Sequence, residues 1–386
     1  MTELLKSFTL YGTVFTTSCL LIYIGLKGQK QLIPSWCIFL IALLIPSVIA
    51  GLRSEIVGTD VKVYVAPTYY EMSNIKSIDE MEVNNLSIGI SNTGNIEVGF
   101  VYLAYFANKY LGHIGFFFGL IAFIQSLFIF LSLYSYRKNI PIYFGMFLYY
   151  SFYFLDFGFN TIRQGLAESI GVFAIVACLF KKKILKFCVF MFLAVLFQRT
   201  SIIMFALLFL FWYSLKFNLL RYKIILLGVF LGTIIFISAN FGYYLELLGY
   251  MDKYSGYFDG LPWDTDERFN FFSMLVYIPI VALIFDRRKY LFTEFKEFNF
   301  LSYTLIFTIL TPFLALLGSF YMRRIGMYFY LFVPLIVAMT MSEYKLYAKK
   351  AYINLFIITY SLLKLFILVK SSEDYLFRSD ILKAVI

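Results

Sequence analysis

The segment NTIRQGLAE, from Asn160 to Glu168, leads polar and charged side chains directly into an apolar run that continues to Phe180. On a helix, Thr161, Gln164 and Glu168 share one face. A polar stripe that faced lipid would be heavily penalised, so this face is predicted to line a bundle interior or an aqueous cavity. Ionisable side chains inside a membrane usually mark a functional site. The alternative is an internal contact that only locks neighbouring helices.

The composition identifies the class of protein around this segment. Of 386 residues, 61% are hydrophobic and 15% are charged, and the mean hydropathy is +0.80. A soluble domain has about 45–50% apolar and about 25% charged residues. The sequence therefore predicts an all-α, polytopic integral membrane helical bundle. The four cysteines lie in apolar runs without paired spacing, so we expect reduced core thiols and no metal site.

Apolar stretches near the length of about 20 residues that a membrane helix needs recur along the chain. They predict about twelve spans in a single membrane domain over residues 1–386. Two polar loops interrupt them, at residues 52–96 and 242–268. Residues 97–110 are apolar but too short to cross comfortably. We expect them to form an interfacial or re-entrant helix.

The distribution of basic residues orients the predicted spans. Lysines cluster in alternate loops, as at Lys181 to Lys183, and the positive-inside rule places these loops in the cytoplasm. The net charge of +10 is then a topology signal and gives no reason to expect a nucleic-acid partner. Both large polar loops fall on the outer side.

Isolated arginines lie at the outer ends of the predicted helices. A planar guanidinium is suited to bidentate binding of phosphate or carboxylate. We therefore expect these arginines to converge on one anionic head group, and the alternative is that each pairs with a loop carboxylate. The set comprises Arg53, Arg163, Arg199, Arg323, Arg324 and Arg378.

The only histidine, His113, begins a predicted span. It could act as a general base, but a single histidine at a helix start is more often a capping or packing residue. No phosphate-binding loop, zinc-protease motif or serine-hydrolase motif occurs in the sequence.

Several segments together resemble the EpsG/Wzy-like polysaccharide polymerases. GLRSEIVGTDVKVY at residues 51–64 resembles the family's signature of arginine, GTD and tyrosine, and IEVGFVYL at 96–103 is similar to its glutamate-glycine segment. NTIRQGLAESI, LAVLFQRTSII and YMRRIGMYF, at 160–170, 193–203 and 321–329, follow in the family's order. Gln198-Arg199-Thr200 departs from the pattern, because many relatives have histidine at the first of these positions.

The resemblance implies polymerisation of lipid-linked repeat units of O-antigen, capsule or exopolysaccharide. The reaction would take place on the periplasmic face of a bacterial inner membrane, between glycans carried on undecaprenyl diphosphate. It requires neither nucleotide nor metal, so no cofactor is expected. The implied partners are these glycans, the lipid bilayer, a chain-length regulator and a flippase, with no nucleic acid. The alternatives are a lipid-linked oligosaccharide flippase and an O-antigen ligase.

In such a reaction a carboxylate would take the proton of the acceptor hydroxyl, and arginines would stabilise the departing diphosphate. The candidate catalytic residues are Asp60, Glu168 and Glu97, with Asp156 as a further carboxylate. Asp60 is favoured as the base, and Glu168 is expected to orient the arginines. The predicted substrate-binding residues are Arg53, Tyr64, Asn160, Arg163, Gln164, Arg199, Arg323 and Arg324.

Overall fold

The computed structural model describes residues 2–27, 34–77, 96–216, 275–314, 326–342 and 347–380, with four single positions between 225 and 232. Within these ranges the chain forms helices and turns and no strand, which confirms the all-α class. The predicted loop at 242–268, residues 78–95 of the predicted loop at 52–96, and both Arg323 and Arg324 lie outside the described residues.

The described helices belong to two units. The first unit comprises Met1–Ile202 with Val337–Ile386, and the second comprises Ile203–Ile336. Helices of the first unit are α1 (Thr2–Lys27), α2 (Ser35–Leu52), α3 (Ala66–Glu71), α4 (Val98–Leu111), α5 (Ile114–Tyr134), α6 (Ile142–Tyr149), α7 (Ile162–Phe173) and α8 (Ile184–Phe197). The second unit contains α9 (Ala206–Lys216), α10 (Ile278–Glu294) and α11 (Phe298–Leu314). Helix α12 (Val333–Thr340) crosses the division, and α13 (Tyr347–Ser371) returns to the first unit.

Five described helices are long and apolar enough to cross a membrane. They are Glu3–Lys27, Ser35–Leu52, Ile114–Tyr134, Ile162–Leu179 and Ala351–Ser371. Four shorter apolar helices are Ile184–Phe197, Arg199–Leu215, Phe298–Leu310 and Gly326–Thr340. These helices confirm the membrane class. The expected total of about twelve spans includes stretches that are not described, so it stays a prediction.

The span Ile162–Leu179 lies at the centre of the first unit. Of its 18 residues 83% are buried, against 33% for Ser35–Leu52. A helix that is buried on nearly all sides needs protein partners for its polar groups as well as for its apolar ones. The face bearing Gln164 and Glu168 therefore points into the bundle interior, as the sequence predicted.

The short helix expected at 97–110 is present as α4. It begins after Glu97 and ends at Gly112, whose φ of 70° provides the left-handed cap that commonly terminates helices. The next residue, His113, caps α5, since its Nδ1 accepts a hydrogen bond of 2.9 Å from the backbone N of Gly115. The capping role predicted for His113 is confirmed. The depth of α4 in a membrane stays a prediction.

The cysteines only partly follow the expectation of core thiols. All four are free, but Cys37 and Cys188 are exposed whereas Cys19 and Cys178 are buried. The expectation was wrong for Cys37 and Cys188, because an apolar run places residues on the outer face of a membrane helix as well as on its packed face.

The chain between α6 and α7 is wound more loosely than an α-helix. Two π-helical stretches follow α6, at Tyr150–Phe154 and Asp156–Asn160, and Thr161 then breaks the helix with φ −104° and ψ 54°. Such π-helical stretches are frequent at functional sites. The polar segment identified in the sequence thus begins at a helix break.

Gly58 allows the turn after α2 to lie against this break. Its φ is 98°, and an added Cβ would lie 2.2 Å from the carbonyl oxygen of Phe159. Gly58→Ala therefore introduces both backbone strain of about 1–3 kcal/mol and a clash with backbone. We expect the variant to lose most of its folded yield, measured by fluorescence-detected size-exclusion chromatography.

The matched control is Gly112→Ala. Gly112 also has a positive φ, but an added Cβ would meet nothing within 4 Å. The Gly112→Ala variant should lose only about 1–2 kcal/mol of stability, which is the strain of a left-handed alanine. It should keep a monodisperse peak. Equal loss of yield in both variants would show that the approach of Gly58 to Phe159 is unimportant.

Candidate functional site

The segment Gly58 to Asp60, which we call the GTD turn, packs on the helix break through a hydrogen bond from its backbone to a side chain. The backbone N of Thr59 donates to Oδ1 of Asn160 at 3.0 Å. The next residue, Asp60, is partly exposed and leads into a π-helical turn at Val61–Val65. The structure therefore brings together two motifs, around Asp60 and Asn160, that are distant in sequence.

Tyr64 links the GTD turn to the arginine of the NTIRQ segment. Its hydroxyl donates to the Asp60 carboxylate, and its ring face lies 4.1 Å from the guanidinium carbon of Arg163. A guanidinium over an aromatic face is attracted by the ring quadrupole. Burial, assisted by the Asp60 carboxylate, raises the pKa of Tyr64 well above its ordinary value. Tyr64 is therefore a protonated donor at neutral pH.

Glu97 is the ionic partner of Arg163. Nη1 of Arg163 donates to Oε2 of Glu97 at 2.5 Å, and the two side chains are only 19% and 7% exposed. The other carboxylate oxygen, Oε1, accepts from the backbone N of Arg199 at 3.3 Å. Nε of Arg163 is buried without a hydrogen-bond partner in the described part of the chain. We call Asp60, Tyr64, Glu97, Arg163 and the backbone N of Arg199 the outer cluster, after the side of the membrane that the sequence predicts for it.

Glu168 lies deeper and contacts a different partner. Nε2 of Gln164 donates to Oε1 of Glu168 at 2.6 Å, and the second carboxylate oxygen of Glu168 is buried without a partner among the described residues. The arginine-orienting contact expected of Glu168 is made by Glu97. The reason is that Glu168 points into the bundle, whereas Arg163 points toward the start of α4.

Arg53 is enclosed by aromatic rings near the helix break. Its guanidinium carbon lies 4.1 Å from the ring centre of Phe159 and 4.7 Å from that of Phe118, and Nη1 donates to the carbonyl of Gly158 at 2.8 Å. Burial lowers the pKa of Arg53 to about 9, which still leaves it cationic at neutral pH. Nε and Nη2 of Arg53 are buried without partners in the residues described.

The other described arginines of the predicted outer set, Arg199 and Arg378, have separate surroundings. The side chain of Arg199 is exposed, and Arg378 pairs with Glu373 at 3.4 Å and Glu3 at 3.8 Å. Arg163 and Arg378 thus have the carboxylate partners of the alternative interpretation. Convergence of the whole set on one anion stays a prediction, since it depends on Arg323 and Arg324.

Sequence reasoning missed the contribution of the chain after α13. Asp374 accepts from Oγ1 of Thr59 at 3.1 Å and pairs with Nζ of Lys62 at 3.3 Å. The hydroxyl of Tyr375 donates to the carboxylate of Asp156. The only signal in the sequence is the polar run SSEDY directly after the last apolar stretch.

The outer cluster combines the two kinds of group that glycosyl transfer from an activated donor needs. Asp60 is a carboxylate that can accept a proton, and Arg163 is a fixed cation that can stabilise developing negative charge. The described residues contain no group of three or more His, Cys, Asp or Glu side chains placed to hold a metal ion.

Apolar spans with a charged cluster at the ends of buried helices define a polytopic α-helical membrane protein with a polar site at one set of helix ends. The chain matches the EpsG family over residues 36–379 and belongs to this family. The match confirms the resemblance found in the sequence and includes every residue of the outer cluster. The family is associated with polysaccharide polymerisation by glycosyl transfer. No curated protein and no solved structure matches the chain.

Breaking the buried Arg163–Glu97 pair should destabilise the protein. Glu97→Gln or Arg163→Met leaves an uncompensated charge, which costs about 3–5 kcal/mol when the partner stays buried. Each single variant should lower the apparent Tm in detergent by about 5 °C or more. The double variant should lose less than the two single losses together, because neither charge remains.

The matched control is the exposed pair of Arg378 and Glu373, which are 34% and 84% exposed. An exposed pair contributes little, so Glu373→Gln should leave Tm nearly unchanged. Strictly additive losses at Glu97 and Arg163 would show that the two side chains are not coupled.

Proposed function

We propose that the protein is a glycosyltransferase that joins oligosaccharide repeat units carried on undecaprenyl diphosphate. The reaction takes place on the periplasmic face of a bacterial inner membrane and produces O-antigen, capsule or exopolysaccharide. Membership of the EpsG family supports the reaction class. The observation that carries the proposal is the direct connection from the Asp60 carboxylate through Tyr64 to the guanidinium of Arg163.

In the proposed reaction a hydroxyl oxygen of the acceptor unit attacks the anomeric carbon of the donor. The bond between that carbon and the diphosphate oxygen breaks, and its electron pair leaves with the lipid diphosphate. Asp60 takes the proton of the attacking hydroxyl. The hydrogen bond from Tyr64 orients the Asp60 carboxylate, and Arg163 stabilises the charge on the leaving diphosphate. A diphosphate donor is already activated, so the reaction requires no nucleotide.

Glu97 has a positioning role in this proposal. Its carboxylate fixes the guanidinium of Arg163 over the Tyr64 ring and leaves Nε of Arg163 without a partner. An arginine held in one geometry needs little reorganisation when charge develops in front of it. Arg53, Arg199, Arg323 and Arg324 are proposed as further donors to the diphosphate, and Asn160 and Gln164 as polar groups that bind the glycan.

The distribution of charge along the spans favours a polymerase over a flippase. A flippase should carry charged residues along the path through the membrane. Of the charged residues in the five candidate spans, only Glu168 and Lys364 lie more than about one turn from a span end. The charges of the outer cluster lie instead at helix ends, where the proposal has a water-soluble sugar meet a lipid-anchored donor. A ligase would share this donor and differ in its acceptor.

The direct test incubates the purified protein in lipid nanodiscs with lipid-linked repeat units and analyses the products on a gel. The proposal predicts a ladder of lengthened glycans without nucleotide or partner protein. Translocation without a new glycosidic bond would favour the flippase, and transfer only to a different acceptor would favour the ligase. Either result would contradict the proposal.

Replacing Asp60 separates catalysis from binding in the same assay. Asp60→Asn should reduce the rate of bond formation about a hundredfold or more, because it removes the proton acceptor. Binding of the lipid-linked donor should remain within a few fold.

The matched control is Glu55→Gln. Glu55 lies in the same segment and accepts a hydrogen bond from Tyr70, as Asp60 does from Tyr64. The Glu55→Gln protein should polymerise at a nearly normal rate. Normal polymer from the Asp60→Asn protein would remove Asp60 from the mechanism.

A further inference from the structure

We propose that Asp374, after the last membrane helix, is a positioning residue that fixes the turn carrying Asp60. The inference rests on the proposed function of Asp60 and adds to it a group from the far end of the chain. Asp374 belongs to a segment, residues 372–380, that we call the C-terminal strap.

The contacts of Asp374 lie on both sides of Asp60 in sequence. One carboxylate oxygen accepts from Oγ1 of Thr59 at 3.1 Å, and the other pairs with Nζ of Lys62 at 3.3 Å. Thr59 is further held by the bond from its backbone N to Asn160. The turn is therefore fixed from the helix break on one side and from the C-terminal strap on the other.

The C-terminal strap is itself attached at several points. The backbone N of Ser54 donates to the carbonyl of Arg378 at 2.7 Å, and the backbone N of Phe377 donates to Oγ of Ser7 at 2.9 Å. The hydroxyl of Tyr375, which is buried, donates to the carboxylate of Asp156. Because these contacts hold the strap without Asp374, replacing Asp374 should leave the strap in place and free the turn alone.

Asp374 should act on the turn alone and contribute little to the free energy of unfolding of the whole protein. The side chains of Lys62 and Asp374 are 50% and 28% exposed, and an exposed ion pair contributes at most about 1 kcal/mol. Asp374→Asn should therefore fold. A misplacement of about 1 Å in a reacting group can nevertheless reduce a rate about a hundredfold.

The charges near Asp60 predict how replacing Asp374 shifts the pH dependence of the polymerisation rate. The turn carries Lys62, and Asp60 itself faces Tyr64 and Arg163, behind which lies Glu97. Asp374 offsets the charge of Lys62. Removing the negative charge of Asp374 favours the ionised form of the Asp60 carboxylate, so the acid limb of the pH–rate profile should move to lower pH. Lys62→Met should move that limb to higher pH.

The experiment compares wild type, Asp374→Asn, Asp374→Glu and Glu373→Gln as full-length proteins in nanodiscs. Hydrogen exchange of the peptide containing residues 58–62 is measured alongside the polymerisation rate and its pH profile. Glu373→Gln is the matched control, because Glu373 is the adjacent carboxylate and is 84% exposed. Its exchange, rate and profile should equal those of wild type.

For Asp374→Asn we expect several-fold faster exchange at residues 58–62, a rate lowered about tenfold or more, and an unchanged KM for the lipid-linked donor. Asp374→Glu should recover part of the rate. Unchanged exchange would overturn the inference whatever the activity. Faster exchange with a normal rate and pH profile would overturn it as well.

The results expected if the proposed function is wrong differ from those expected if only the role of Asp374 is wrong. If wild type forms no polymer, the glycosyltransferase proposal is wrong, and the exchange data alone decide whether Asp374 fixes the turn. If wild type polymerises and Asp374→Asn equals it in every measurement, only the role of Asp374 is wrong.

Discussion

The guanidinium of Arg163, held between the Tyr64 ring and the Glu97 carboxylate, is the interaction on which the rest of the outer cluster depends. It joins the GTD turn, the start of α4, the start of α7 and the backbone at Arg199. A charge this deeply placed is stable only if it keeps its partners, because an uncompensated buried ion costs several kcal/mol. The four segments are therefore constrained to one arrangement.

The helix break before α7 makes this arrangement possible. A break frees backbone carbonyls that have no water to bond with inside a membrane, so side chains must satisfy them. Nε2 of Gln125 donates to the carbonyls of Phe157 and Ile162, both at 3.1 Å, and Arg53 donates to that of Gly158. Gly58 then allows the GTD turn to approach the break. Gln125 and Arg53, which are far apart in the sequence, thus both bind carbonyls of the same helix break.

Much of the fold could be predicted because membrane helices are recognisable from their apolar composition. The apolar runs, the short helix α4, the capping of α5 by His113 and the shared face of Gln164 and Glu168 all depend on local pattern. The pairing of Arg163 with Glu97 could not be predicted. Several carboxylates were available to Arg163, and the choice among them depends on how α4 packs beside α7.

The C-terminal strap escaped prediction for a similar reason. A polar run after a last span resembles an ordinary solvated tail, and nothing in its local pattern shows that Asp374 reaches Thr59 and Lys62. Such a contact is decided by where α13 ends relative to α1 and α2, which is a tertiary property. Family membership supports the reaction class, whereas the roles of individual side chains rest on these contacts.

Under the proposed function, Arg163 receives the donor diphosphate. The most direct measurement is the affinity of the purified protein for a short-chain prenyl diphosphate, with Arg137→Lys as the control, since Arg137 also stacks on a tyrosine ring, 4.7 Å from Tyr134. A lysine cannot reproduce the planar donor set of arginine. Arg163→Lys should weaken binding about tenfold or more, whereas Arg137→Lys should bind as wild type does. Equal affinity in wild type and Arg163→Lys would contradict this role of Arg163.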